Sequence, residues 1–186
     1  MIILVLGLLL WIVVHLFPGL ASYKRKKLML KIGVIPYKLV FATLIVSSIV
    51  LITMGWRSVE PIQLYALPGW INYVTKILVL LTFILFVAAQ VKTNIKRVLR
   101  HPQLTGLVLW CIGHLLANGD SRSLVLFVGL LIWAKLEIIA INKRDGKRIL
   151  PAAVPVTYDV LTVVGGVVVF SIFLFAHPYI TGVSII

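Results

Sequence analysis

Apolar residues in this chain run in long unbroken stretches, divided by short polar segments in which most of the charge is gathered. Six stretches reach or approach the ~17–20 residues needed to cross a hydrocarbon core of roughly 30 Å. They run from Met1 to Phe17, Leu39 to Trp56, Val74 to Val91, Leu104 to Ala117, Leu124 to Ile141 and Val160 to Ala176. No water inside a bilayer can satisfy a free backbone amide, so each stretch is predicted to be a helix. The alternation of apolar and polar positions that marks a membrane barrel is absent. The expected fold is all-α: an integral membrane bundle of six transmembrane helices forming a single domain over residues 1–186.

Basic residues orient these spans. The first connecting segment carries Lys24, Arg25, Lys26, Lys27, Lys31 and Lys38, the third Lys92, Lys96, Arg97 and Arg100, and the fifth Lys143, Arg144, Lys147 and Arg148. The segments between them hold only Arg57 and Arg122. Lys and Arg collect on the cytoplasmic side, so the alternation places both termini outside, N-out and C-out. Adding or removing a span would turn two basic clusters the wrong way. The first span has no basic residue ahead of its apolar core and a basic run behind it, the layout of an uncleaved first helix rather than a signal peptide. Pro18 and Gly19 are expected to end that helix.

Composition sharpens the picture. The chain is 61% apolar and 12% charged, against about 45–50% and about 25% for a soluble domain. A formal charge of +13 confined to clusters between uncharged stretches argues for a lipid bilayer as partner and against nucleic acid. One cysteine provides neither a disulfide framework nor a multi-cysteine zinc site.

Ionisable groups inside a span are costly and mark candidate function. His15, Lys76, Cys111, His114, Lys135, Glu137 and Asp159 qualify. At about 100° per residue, Cys111, His114 and Asn118 fall on one face of the fourth helix, with Trp110 beside them. A rise of about 1.5 Å per residue puts His114 about 15 Å below Leu104, and His15 about 21 Å from Met1, at comparable depth. Two neutral imidazoles from different helices inside an apolar bundle are the ligand set of a b-type haem. Cys111 could approach the same metal. The bland account is that each histidine bonds a helix carbonyl and Cys111 is a small buried hydrophobe. His101, among Lys96, Arg97 and Arg100 and followed by Pro102 at a helix start, belongs to the cytoplasmic mouth, where an anion such as a haem propionate would be received. Asp159 is expected to make an interfacial pair with nearby cations, and Asn118-Gly119-Asp120 reads as a turn.

Arg100-His101-Pro102, Gly106, Trp110-Cys111-Ile112-Gly113-His114-Leu115-Leu116-Ala117-Asn118-Gly119-Asp120, Phe127, Leu130 to Ala134 and Arg144-Asp145-Gly146 together resemble the NnrU family of bacterial integral membrane proteins. His15 and the Pro36-Tyr37 entry to the second span fit as well. The resemblance implies a multi-pass protein of the bacterial inner membrane, associated with denitrification through nitrite and nitric oxide reduction in support of a reductase complex. The superfamily also takes in a plant carotene isomerase, a membrane enzyme with haem b, histidine ligands and a redox-linked cysteine. Carried over, those roles fall on His15 and His114 as metal ligands with Cys111 beside them, and a hydrophobic small molecule such as a polyene as substrate. Arg100, His101, Pro102 and Gly106 also resemble the start of the S-adenosylmethionine site of membrane methyltransferases, but the paired glutamates and tyrosine-rich tail of those enzymes are missing. A third alternative is a non-enzymatic helper of a respiratory complex.

Overall fold

The computed structural model describes residues 1–183. Helices follow one another as α1 (Ile2–Leu20), α2 (Ser22–Ile32), α3 (Val34–Arg57), α4 (Ile71–Gln90), α5 (Ile95–Val98), α6 (Pro102–Ala117), α7 (Ser121–Asp145) and α8 (Val156–Thr181). No strand occurs among the described residues beyond an isolated antiparallel bridge between Gln63 and Asp120. Five of the helices, α1, α3, α4, α7 and α8, are long and apolar enough to cross a membrane. The sixth apolar helix, α6, has 16 residues.

Two local features depart from the expected layout. α1 does not stop at Pro18 but continues to Leu20 with the proline inside it. Proline there forfeits one hydrogen bond to the carbonyl a turn earlier, a loss that membrane helices tolerate. The basic segment after it is not a loop: Ser22–Ile32 forms α2. Lys, Arg, Leu and Met are all strong helix formers, and Gly33, at φ 90°, supplies the break before α3 that residues with a Cβ resist.

The chain divides into two compact units, Met1–Leu67 with Asn118–Lys147, and Pro68–Ala117 with the described residues from Arg148 onward. In the first, α1 packs on α3 and α7. Small residues set these approaches: a Cβ added to Gly7 would lie 2.7 Å from the Ile52 nitrogen, and one on Gly55 would collide with the Leu4 backbone. Gly7 meeting Ile52 while Gly55 meets Leu4 makes α1 and α3 antiparallel. Gly129 against Leu8 and Gly19 against Ala140 make α1 and α7 parallel.

The connection after α3 is tied to the turn before α7. Leu64 and Tyr65 donate their amides to the Gly119 carbonyl at 2.7 and 3.1 Å, and Ser121 donates to Ile62 at 2.9 Å. A side chain on Gly119 would strike the Tyr65 carbonyl. Arg122 closes this end by stacking 4.6 Å over the Trp56 ring.

In the second unit α4 packs on α6 and α8. Thr75 and Thr82 donate their hydroxyls to the carbonyls of Gly113 (3.1 Å) and Gly106 (2.9 Å). Both pairs are seven residues apart, and the pairing runs α6 antiparallel to α4. Phe83 stacks on Phe173 at 4.9 Å, and Gly166 lies against Ile84. At the other end of α4, Asp159 accepts from the Thr93 hydroxyl (2.5 Å) and from the Asn94 amide and side chain (both 2.7 Å). The partner of Asp159 is therefore this capping network rather than a Lys or Arg. Among the described residues Arg97 donates to the Pro151 carbonyl, and Arg148 to those of Val98 and Lys96.

Candidate functional site

His15 sits near the end of α1, half-buried in the first unit, in an aromatic nest. Its ring centroid is 4.0 Å from Trp11, 4.9 Å from Trp133 on α7 and 6.1 Å from Phe41 on α3. Trp11 and Trp133 meet edge to face at 5.3 Å. The imidazole is held by its own helix: Nδ1 is 2.9 Å from the carbonyl oxygen of Trp11, one turn earlier. The Trp11 indole nitrogen is buried without a hydrogen-bond partner among the described residues, an unusual condition for a donor in an apolar interior.

The second unit repeats this geometry. His114 Nδ1 lies 2.9 Å from the Trp110 carbonyl, and the two rings are 4.4 Å apart. Cys111 is 0% exposed on the same helix, on the side away from the buried Gly106 and Gly113 that meet α4. Asn118 follows the last residue of α6 and so leaves the helix face that Cys111 and His114 share; it belongs to the first unit, where its carbonyl accepts from the Tyr65 hydroxyl at 3.3 Å. His101 precedes α6, with Pro102 as the first helical residue, and its carbonyl accepts the Thr105 amide at 2.9 Å.

With Nδ1 donating to a carbonyl, an imidazole has its lone pair at Nε2. That is the tautomer and the second-shell bond found where histidine ligates a metal. Each of the two imidazoles would in that form offer Nε2 to a metal, and each lies against an indole ring. Among the described residues no three His, Cys, Asp or Glu side chains gather as a metal cluster. Trp11 was not among the residues singled out from the sequence. The signal was present as Trp-x-x-x-His occurring twice, at Trp11 to His15 and Trp110 to His114, a spacing that brings both rings to one helix face.

Glu137 and Lys135 point to different sides of α7, the first half-buried and the second exposed. Ser48, fully buried on α3, returns its hydroxyl to the Ile45 carbonyl at 2.7 Å and serves packing.

Comparison with known proteins places these features in a lineage. The chain is 45% identical over 40 residues to the chloroplastic 15-cis-zeta-carotene isomerase of Zea mays, a match taking in 22% of this chain and 11% of the maize protein. No solved structure matches. The model of the NnrU protein family matches residues 3–185, nearly the whole length, and the chain belongs to that family.

Proposed function

We propose that this protein is a six-span enzyme of the bacterial inner membrane that binds b-type haem, with His15 and His114 each a candidate ligand, and uses it to isomerise a double bond in a hydrophobic polyene. The observation that carries this reading is the repeated Trp-x-x-x-His geometry, in which both imidazoles have Nδ1 committed to a carbonyl one turn back. Haem so bound would supply a one-electron redox centre. The imidazoles of His15 and His114 would hold it, with Cys111 three residues before His114 on α6, and His101 would receive an anionic group at the cytoplasmic mouth. The name of the maize relative favours isomerisation over direct nitrogen-oxide chemistry. In this reading α6 is the fourth span and both termini are outside. The parallel pairing of α1 with α7 and the antiparallel pairing of α4 with α6 support that order, as does the clustering of Lys and Arg. Sixteen residues at about 1.5 Å each reach about 24 Å, short of a core of about 30 Å, so α6 would run inside the protein or beneath a thinned bilayer.

Protein purified in detergent from cells supplied with haem should show a Soret band that moves on reduction. His15→Ala and His114→Ala should each abolish it, and His101→Ala should retain it. A colourless preparation despite adequate haem would overturn the reading.

A further inference from the structure

The basic residues after α1 do more than orient the chain. α2 carries Lys24, Arg25, Lys26, Lys27 and Lys31, α3 begins with Lys38 in its second turn, and no acidic residue occurs before Glu60. Between α1, α2 and α3 lies an open groove of about 250 Å³, walled by carbon atoms of Val14, Phe17, Leu28, Ile32, Tyr37 and Phe41, among others. At about 30 Å³ per liquid water molecule this is far larger than a packing fault, yet its walls offer water no polar partner. Such a groove in a membrane protein is filled by hydrocarbon.

One end of the groove is polar. Arg25 precedes Leu28 by three residues and shares its helix face. Its guanidinium stands 5.9 Å from the centroid of the Tyr37 ring. The Arg25 Nε and the Tyr37 hydroxyl are both buried without a hydrogen-bond partner among the described residues, and Tyr37 is only 8% exposed. Two unsatisfied donors beside an all-carbon groove match an amphiphile with an anionic head. None of α1, α2 and α3, which wall the groove, carries a carboxylate that could receive an ammonium headgroup. We infer that the groove and Arg25 form a binding site for one anionic phospholipid: an acyl chain lies between α1, α2 and α3, and the phosphodiester oxygens accept from Arg25, with Lys24 alongside. The site uses neither His15 nor His114 as a ligand and stands independently of the haem reading.

The test is native mass spectrometry of the full chain in detergent, equilibrated with equimolar phosphatidylglycerol and phosphatidylcholine of the same acyl chains. The phosphatidylglycerol adduct should exceed the other by about tenfold, because both lipids offer a phosphodiester but choline sets a second cation against Lys24 and Arg25. Arg25→Gln should bring the two close to parity, and Lys26→Gln, about 100° further round α2, should leave the preference in place. Val40→Trp, filling the groove from α3, should lower retention of both lipids. Equal retention by the unmodified protein, equal effects of Arg25→Gln and Lys26→Gln, or displacement of the lipid by inorganic phosphate alone would each overturn the site. Should Arg25→Gln fail to fold, Arg25→Lys keeps the charge but loses the forked donor geometry and should still weaken the preference; an unchanged preference would be equally decisive against it.

Discussion

The hydroxyl of Thr82 on α4 donates to the carbonyl of Gly106 on α6 at 2.9 Å, and it also reaches the Leu78 carbonyl of its own helix at 2.9 Å. Gly106 is needed for that approach, since a Cβ there would stand 3.0 Å from Phe86 and 3.1 Å from the Thr82 carbonyl. In lipid, interhelical hydrogen bonds and close backbone contact replace the hydrophobic drive between helices. Thr82→Val, nearly isosteric, should therefore lower stability by about 1 kcal/mol, and Thr82→Ser should restore most of it. Reversible unfolding in mixed micelles measures both.

Neighbouring glycines on α8 should respond differently. A Cβ on Gly166 would sit 2.5 Å from the Ile84 Cα, whereas one on Gly165 would meet only Val87 at an ordinary 3.4 Å. Gly166→Ala should destabilise by about 1–3 kcal/mol through overpacking. Gly165→Ala should stay within about 0.5 kcal/mol. Melting temperatures of the two variants in one detergent decide the matter.

Asp120 caps α7: its side chain accepts from the amides of Arg122 (3.1 Å) and Ser123 (3.0 Å) and from the Ser123 hydroxyl (2.5 Å). Asp120→Ala should cost about 1–2 kcal/mol, and Asp120→Asn, itself a good cap, much less. Hydrogen exchange should quicken first at the amides of Arg122 and Ser123.

Asp159 gathers the turn after α4, and Asn94 extends the network by exchanging hydrogen bonds with Val154 at 2.8 and 3.1 Å. Removing the carboxylate would leave the Thr93 hydroxyl, in a residue 4% exposed, without its acceptor. Asp159→Ala and Asn94→Ala should both speed tryptic cleavage at Lys96 and Arg97. Asp159→Leu at equal expression should behave like Asp159→Ala; resistance as in the unmodified chain would show that the network does not hold this segment.

The topology can be read through the single cysteine. Cys111 is 0% exposed and should not react with a membrane-impermeant maleimide in the folded protein. With that silent background, Ser58→Cys should label on intact cells and Lys26→Cys only after permeabilisation. The reverse pattern would invert the proposed orientation.

Much of this architecture was legible in the order of residues. Apolar length measured against bilayer thickness is a local property, so the long helices could be located before any contact was known, and the motif from Arg100 to Asp120 marked the family. The histidines stood out because imidazole is expensive in hydrocarbon. α2 was hidden because its charge was read as an orienting flank, although its composition favours a helix. Arg25 looked like one cation among several until its Tyr37 partner and the groove beside it appeared.

What the residues alone determined is where the helices lie and which groups are costly to bury. Only the tertiary structure decided that α1 packs with α3 and α7, and α4 with α6 and α8, that Gly106 makes helix contact with Thr82, and that Trp133 of α7 closes on His15. The physical reason is that lipid tails are as apolar as a protein interior. A spanning helix can be hydrophobic on every side, so its periodicity does not reveal which face meets a partner. That choice rests on small residues, hydroxyls and ring faces meeting across helices, and on no pattern within one helix.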